Sequence, residues 1–152
     1  MNPHLQTNSN SYLAPKAALQ FINPNPPRRI IHYTETLRAE FGRANQCYCN
    51  AYDYVLGTDE QMRYVEGLII DPGSGALIHH AWAVDRTQRR NYEPTPLSGD
   101  QYLYFGYIVN RRSLQRRWQF GKLAIGSFFS LAELTPIEVL IRSRYPLAWV
   151  AG

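Results

Sequence analysis

His79-His80-Ala81-Trp82-Ala83-Val84-Asp85, followed after a short connection by Asn91-Tyr92-Glu93-Pro94-Thr95-Pro96, is the stretch on which the fold turns. Ala76-Leu77-Ile78 leads into it, and Arg86-Thr87-Gln88-Arg89-Arg90 between the two arms is charged and turn-forming. The pattern predicts a β-hairpin. With the turn centred between Arg86 and Thr87, His80 and Glu93 are equidistant from the centre and therefore directly opposed. Opposed residues of an antiparallel pair point to the same face, with Cβ atoms about 4.5–5.5 Å apart. A carboxylate there can hold the His80 ring in one tautomer and stabilise its protonated form. A slip of one residue would send the two side chains to opposite faces.

Working outward, 152 residues suffice for one domain with a real core and no need of disulfides or metal. Apolar residues make up 45% and charged residues 18%, a globular balance, and eleven tyrosines favour strands over a helical bundle. No apolar run reaches membrane-spanning length, and Met1-Asn2-Pro3-His4-Leu5-Gln6-Thr7 lacks the basic start and apolar core of a secretion signal. The net charge of +4 is carried almost wholly by arginine, which permits an acidic or nucleic-acid partner without demanding one. Cys47 and Cys49 are poorly spaced to bridge each other, and free thiols fit a reducing, cytoplasmic setting.

Residues 1 to about 29 are rich in Asn, Pro and Ser and read as an extended arm, leaving 30–152 as a single domain. Tyr33, Leu37 and Phe41 fall at helical spacing, predicting a helix over 31–43 stopped by Gly42. Asn45 as N-cap and Gly57 as C-terminal cap bound a second helix from about Gln46 to Leu56, with Cys47 in its first turn. Arg63 to Ile70 is a strand ending in the turn Asp71-Pro72-Gly73-Ser74-Gly75, and Gln101 to Val109 is a fourth strand beyond the hairpin. Four strands with short turns predict an antiparallel sheet. A basic segment from Arg111 to about Gln119, an apolar stretch from Lys122 to Leu134, and a short helix capped by Thr135-Pro136-Ile137-Glu138 and ended by Tyr145-Pro146 complete the chain. The fold class expected is α+β.

A cysteine opening a helix, then a strand with His-Ala-Trp, then a strand ending in acid-Pro-Thr resembles the transglutaminase-like branch of the papain-like cysteine enzymes. The match runs from 46 to about 109 and includes Tyr64-Val65-Glu66-Gly67 and Tyr104-Phe105-Gly106. The resemblance implies a Cys-bearing helix packed on an antiparallel sheet, and a Cys47 nucleophile with His80 as base and Glu93 orienting it. It implies a hydrolase or acyltransferase acting on an amide bond of a protein or peptide, without cofactor. The family's third member is normally Asp, and Glu93 is longer by a methylene. By analogy, the small size suits a bacterial or phage protein aimed at a host or competitor target.

The residues carry the same chemistry on physical grounds. A thiol becomes a useful nucleophile when a helix N-terminus and an imidazolium lower its pKa from about 8.5. The Cys47 backbone N–H, with Gln46 as a second donor, is the candidate oxyanion hole. Asn50, one turn on, is a candidate supporting residue, and Trp82 shares the face of His80 and is expected to pack over it. Cys49 is the rival nucleophile but points away from Cys47 on a helix; as ordinary buried thiols either would simply fill core. His79 is expected on the opposite face, Asp85 in the turn, and Glu66 paired with Arg63 or an N–H donor. The Cys and His spacings match no familiar zinc pattern. A second class of function is a non-catalytic binding protein using Arg112, Arg116, Arg117 and Trp118 against nucleic acid or an acidic protein, where the plainer expectation is a solvated amphipathic helix. A third, an enzyme on a nucleotide-derived substrate, has only that basic surface behind it.

Overall fold

The longest continuously buried run among the described residues is Tyr64–Ile70, in a strand paired on both edges. The computed structural model describes residues 28–39, 42–99, 101–120 and 128–145, apart from the side chains of 118–120. The expected arm falls outside the described residues except for Arg28 and Arg29, as do most of the apolar stretch before Leu134 and the Pro146 stop. The elements are β1 (Glu35–Arg38), α1 (Cys47–Gly57), β2 (Met62–Ile70), β3 (Leu77–Asp85), β4 (Arg90–Glu93), β5 (Leu103–Val109), α2 (Arg111–Phe120) and α3 (Leu131–Arg144). They form an α+β arrangement with a five-stranded sheet in the order β1-β4-β3-β2-β5.

β2 is buried from Tyr64 to Ile70 because both its edges are paired and both its faces covered. One face, with Tyr64, Leu68, Ala81, Ala83 and Phe105, packs against Ala51, Tyr52 and Val55 of α1 and Leu134, Ile137 and Ile141 of α3. The other buries Val65, Ile69, Trp82, Val84 and Tyr104 beneath Ile31, Tyr33, Leu97 and Tyr102. The strand alternation of period two assigns each residue its side.

Four strands pair antiparallel as expected, but the sheet is mixed, because β1 lies parallel to β4. The helix expected over 31–43 is not formed by its described residues, 31–39 and 42–43. A spacing of four places residues on one side of a helix and equally on one side of a strand, and Leu37 is in fact 40% exposed. Thr34 and Thr36 are β-branched, and the open edge of β4 supplies backbone partners, with the Ala39 N–H donating to the Glu93 carbonyl at 2.9 Å. Gly42 is not a helix stop either. Its N–H donates to the Pro94 carbonyl at 2.8 Å, and a Cβ there would lie 2.1 Å from Asn50 Cγ.

α1 begins and ends one residue later than expected. Asn45 takes a left-handed turn (φ 61°) that asparagine tolerates, so Gln46 is the N-cap, without a side-chain bond. Gly57 is the last helical residue, and Thr58 closes the helix by donating its hydroxyl to the Tyr54 carbonyl at 2.6 Å. α3 starts a turn before the expected cap. Ser130 and Glu133 form the capping box, and Pro136 sits inside the helix, leaving the Ala132 carbonyl without its usual donor. The Asp71–Gly75 turn is as expected, with Asp71 Oδ1 accepting from the Gly73 N–H at 2.9 Å. Buried Glu66 accepts from Tyr64 Oη at 3.1 Å and from the Phe128 and Phe129 N–H groups at 2.9 and 3.3 Å, so N–H donors of the expected kind reach it, joined by a phenol.

Gly67 and Gly106 are directly paired across β2 and β5, and Gly67 also pairs with His80. This glycine gap is where the Trp82 indole lies: a Cβ on Gly106 would come within 2.6 Å of both Trp82 Cη2 and Val65 Cγ1. Gly106→Ala should therefore lower stability by about 1–3 kcal/mol through overpacking. Urea unfolding measures it, and an unchanged midpoint would show that the indole does not occupy this gap.

Candidate active site

Cys47 is the first residue of α1, where the backbone N–H groups of the opening turn lack helical partners and carry partial positive charge. No acidic residue in that turn offsets the charge. The thiol is half-buried and near enough to the His80 ring to help hold its proton.

His80 is 2% exposed. Its Nε2–H donates to Glu93 Oε2 at 2.7 Å. The hairpin reaches this pairing by a register different from the expected one. Asp85 pairs with Arg90 and Ala83 with Tyr92, centring the turn between Thr87 and Gln88. Continued one step, that ladder sets Glu93 opposite Trp82 and diagonal to His80. The partner is displaced by two residues, which preserves the face, and the diagonal reach is within that of a glutamate. The added methylene relative to aspartate is accommodated here.

Three further contacts hold the imidazole and carboxylate. Trp82 stacks on His80, with ring centroids 6.3 Å apart and planes within 12°, and donates from Nε1 to Asn91 Oδ1 at 3.1 Å. Asn91 Nδ2 in turn donates to the Tyr33 carbonyl at 2.8 Å and to Thr36 Oγ1 at 3.1 Å, so β1 anchors the tryptophan's partner. Tyr104 Oη donates to Glu93 Oε2 at 3.0 Å, and the Thr95 N–H donates to Glu93 Oε1 at 2.9 Å. Thr95 Oγ1 accepts from Asn50 Nδ2 at 3.0 Å, and the Asn50 amide also exchanges two bonds with the Arg43 backbone. Asn50 thus ties the chain entering α1 to the turn leaving β4.

Burial alone would push the His80 imidazole down toward its neutral form. Hydrogen bonds to Cys47 and Glu93, with the charges of both, outweigh burial and push it up to about 9. Burial first, then the charge of Glu93 and the bond to it, raises the Tyr104 phenol, which stays protonated and a donor at neutral pH. Burial, then the charges of Asp53 and Cys47, pushes the rival Cys49 thiol up.

Of the residues picked from sequence, Cys47, His80 and Glu93 converge, Trp82 packs against the ring, and Asn50 joins through Thr95. Gln46 is exposed and makes no side-chain cap. His79 is exposed, and Asp85 Oδ1 accepts from the Thr87 and Gln88 N–H groups, a turn residue. Arg112 and Arg116 are exposed, whereas Arg117 packs over the Phe128 ring at 4.3 Å; the side chain of Trp118 lies outside the described residues. Tyr104, Thr95 and Asn91 were not singled out from sequence as site residues. Asn91 and Thr95 left a usable signal, standing two before and two after Glu93, Thr95 within the quoted acid-Pro-Thr motif. Among the described residues no three His, Cys, Asp or Glu are grouped to hold a metal ion, and no helix is long and apolar enough to cross a membrane. Compared with known families, with curated proteins and with solved structures, the chain matches none.

Because folded His80 holds its proton more tightly than the unfolded chain does, its contribution to stability is complete below about pH 6.5 and is lost as pH rises through about 9. The unfolding free energy should decline across that interval, and less so in His80→Gln. The His80 ring resonances should titrate with a midpoint near 9; a midpoint at or below 6.5 would mean that the ring does not share its proton with these partners.

Proposed function

We propose that the chain is a cysteine-dependent hydrolase or acyltransferase of the transglutaminase-like, papain-like kind, acting on an amide or related acyl bond of a protein or peptide. The observation that carries this reading is the buried His80–Glu93 pair at 2.7 Å, with the Cys47 thiol at a helix N-terminus close enough to raise the affinity of the His80 ring for its proton. The α+β arrangement, with a helix bearing the cysteine against a sheet bearing histidine and acid, supports the same class.

In the proposed reaction the proton shared by Cys47 and His80 rests on the His80 nitrogen not engaged by Glu93, leaving the sulfur as the thiolate of an ion pair. The thiolate attacks the substrate carbonyl carbon and the carbonyl electrons move to oxygen. The Cys47 backbone N–H donates a hydrogen bond to that oxyanion, with exposed Gln46 next to it. As the C–N bond breaks, His80 returns its proton to the leaving amine, and a thioester to Cys47 remains. His80 then takes a proton from an incoming water or amine, which displaces the sulfur. Water completes hydrolysis and an amine completes transfer. Glu93 stabilises the imidazolium throughout and fixes which nitrogen faces the sulfur. Two free cysteines accord with a reducing, cytoplasmic setting.

Iodoacetamide at near-neutral pH should alkylate Cys47 ahead of Cys49, read by peptide mass mapping, and His80→Ala should slow Cys47 alkylation by roughly tenfold or more. Cys47→Ala should abolish turnover of peptide amides while leaving the circular dichroism spectrum unchanged. Equal labelling of the two thiols, indifferent to His80→Ala, would remove the basis for this function.

A further inference from the structure

A separate cleft of about 670 Å3 opens away from Cys47, His80 and Glu93, and none of those three lines it. Its cations are Arg28, Arg29, Arg86, Arg89 and Arg144, and no Asp or Glu is among its lining residues. Five guanidinium groups around one concavity exceed the net charge of +4 of the whole chain. The charge is therefore concentrated here rather than spread. Among the described residues, Arg28 alone of the five has a carboxylate partner, Glu133 at 3.6 Å, and that pair is solvent-exposed. Arg29, Arg86, Arg89 and Arg144 are exposed.

The shape and chemistry narrow what would bind. A concave wall of one sign focuses its field and concentrates counter-ions of the other sign. Guanidinium matches phosphate oxygens in a two-pronged geometry that ammonium cannot offer, and the cleft holds arginine without lysine. Its volume lies within the range of about 300–1,000 Å3 typical of bound small molecules and well above what one inorganic phosphate fills. The floor is not polar throughout. Ile31, Tyr33 and Ile108 pack against the second core cluster, and Tyr33, Tyr107 and His32 bring rings to the lining. Arg89 already lies over the Tyr33 ring, 5.6 Å from its centre, a stacking mode that a base can share.

We propose that this cleft is a binding site for nucleotide phosphates: a ligand with two or more phosphate groups and a flat ring, either free or as the end of a single strand. The site does not depend on Cys47 being a nucleophile.

The test measures binding of the full chain to three probes: adenosine triphosphate, a labelled thymidine oligonucleotide of about a dozen residues, and a poly-glutamate peptide of similar length. Salt is varied between about 50 and 200 mM. Two exposed double variants are compared with the parent, one carrying Arg86→Gln with Arg89→Asn (asparagine tolerates the left-handed backbone of position 89) and the other Arg29→Ala with Arg144→Ala. Arg112→Ala with Arg116→Ala on α2 is the control. The expected result is salt-sensitive binding of a phosphate probe that both cleft variants weaken by roughly tenfold or more and the control leaves unchanged. Triphosphate binding comparable to that of the oligonucleotide identifies a free nucleotide; oligonucleotide binding alone identifies a strand end. Three results would overturn the site: no binding of either phosphate probe, poly-glutamate binding as tightly, or the α2 control losing as much as the cleft variants. Alkylation of Cys47 should be the same in all three double variants, which separates this site from the thiol relay.

Discussion

A carboxylate removed from water has to be met on both oxygens, and much of this protein is arranged around meeting Glu93. One oxygen receives the His80 ring and the Tyr104 phenol, and the other receives the Thr95 N–H. These donors come from β3, from β5 and from the turn after β4, so one buried group ties together parts of the sheet that are not adjacent. The β1 strand holds β4 from its other side, and Asn50 carries the connection into α1. Unpaired buried charge is among the costliest defects in a fold. The same donors that avoid that cost here set the imidazole in one orientation beside a thiol.

The pairing of histidine with acid was legible because strand geometry cares about parity. A hairpin centre misplaced by one position moved the partner by two residues, and the face survived. The helix expected over 31–43 failed for a related reason, since a spacing of four satisfies periods of 3.6 and of 2 alike. What decided between them was the free edge of β4, a tertiary fact that nothing near Thr34 announces. α3 presented a different ambiguity. Ser130-Leu131-Ala132-Glu133 and Thr135-Pro136-Ile137-Glu138 both have the residues of a capping box, and the earlier one won despite placing Pro136 inside the helix. Tyr104 was not picked out because its role exists only after distant segments meet, and so does the bond of Thr95 to Asn50, whereas the bond of the Thr95 N–H to Glu93 is local.

The arginines divide along the same line. Those from Arg111 to Arg117 form a visible basic run, yet Arg117 is engaged with an aromatic ring, Arg111 donates to the Val55 carbonyl, and only Arg112 and Arg116 are solvated. The concentrated positive wall is built instead from three stretches: the approach to Ile31, the β3–β4 turn and the end of α3. No window along the chain displays it. Local charge density in a sequence and charge density on a surface are separate quantities.

The borders of the sheet have a consequence for life in a crowded solution. An open strand offers unpaired amides to any passing chain and invites it to join. On one side the outermost strand, β1, is only four residues long and carries exposed Glu35 and Arg38, a short charged hem. On the other, Ile31 exchanges two backbone bonds with Gly106, so the flank of β5 is stitched at its middle. A sheet finished this way leaves few free backbone amides at either of its described borders for a neighbouring chain to extend.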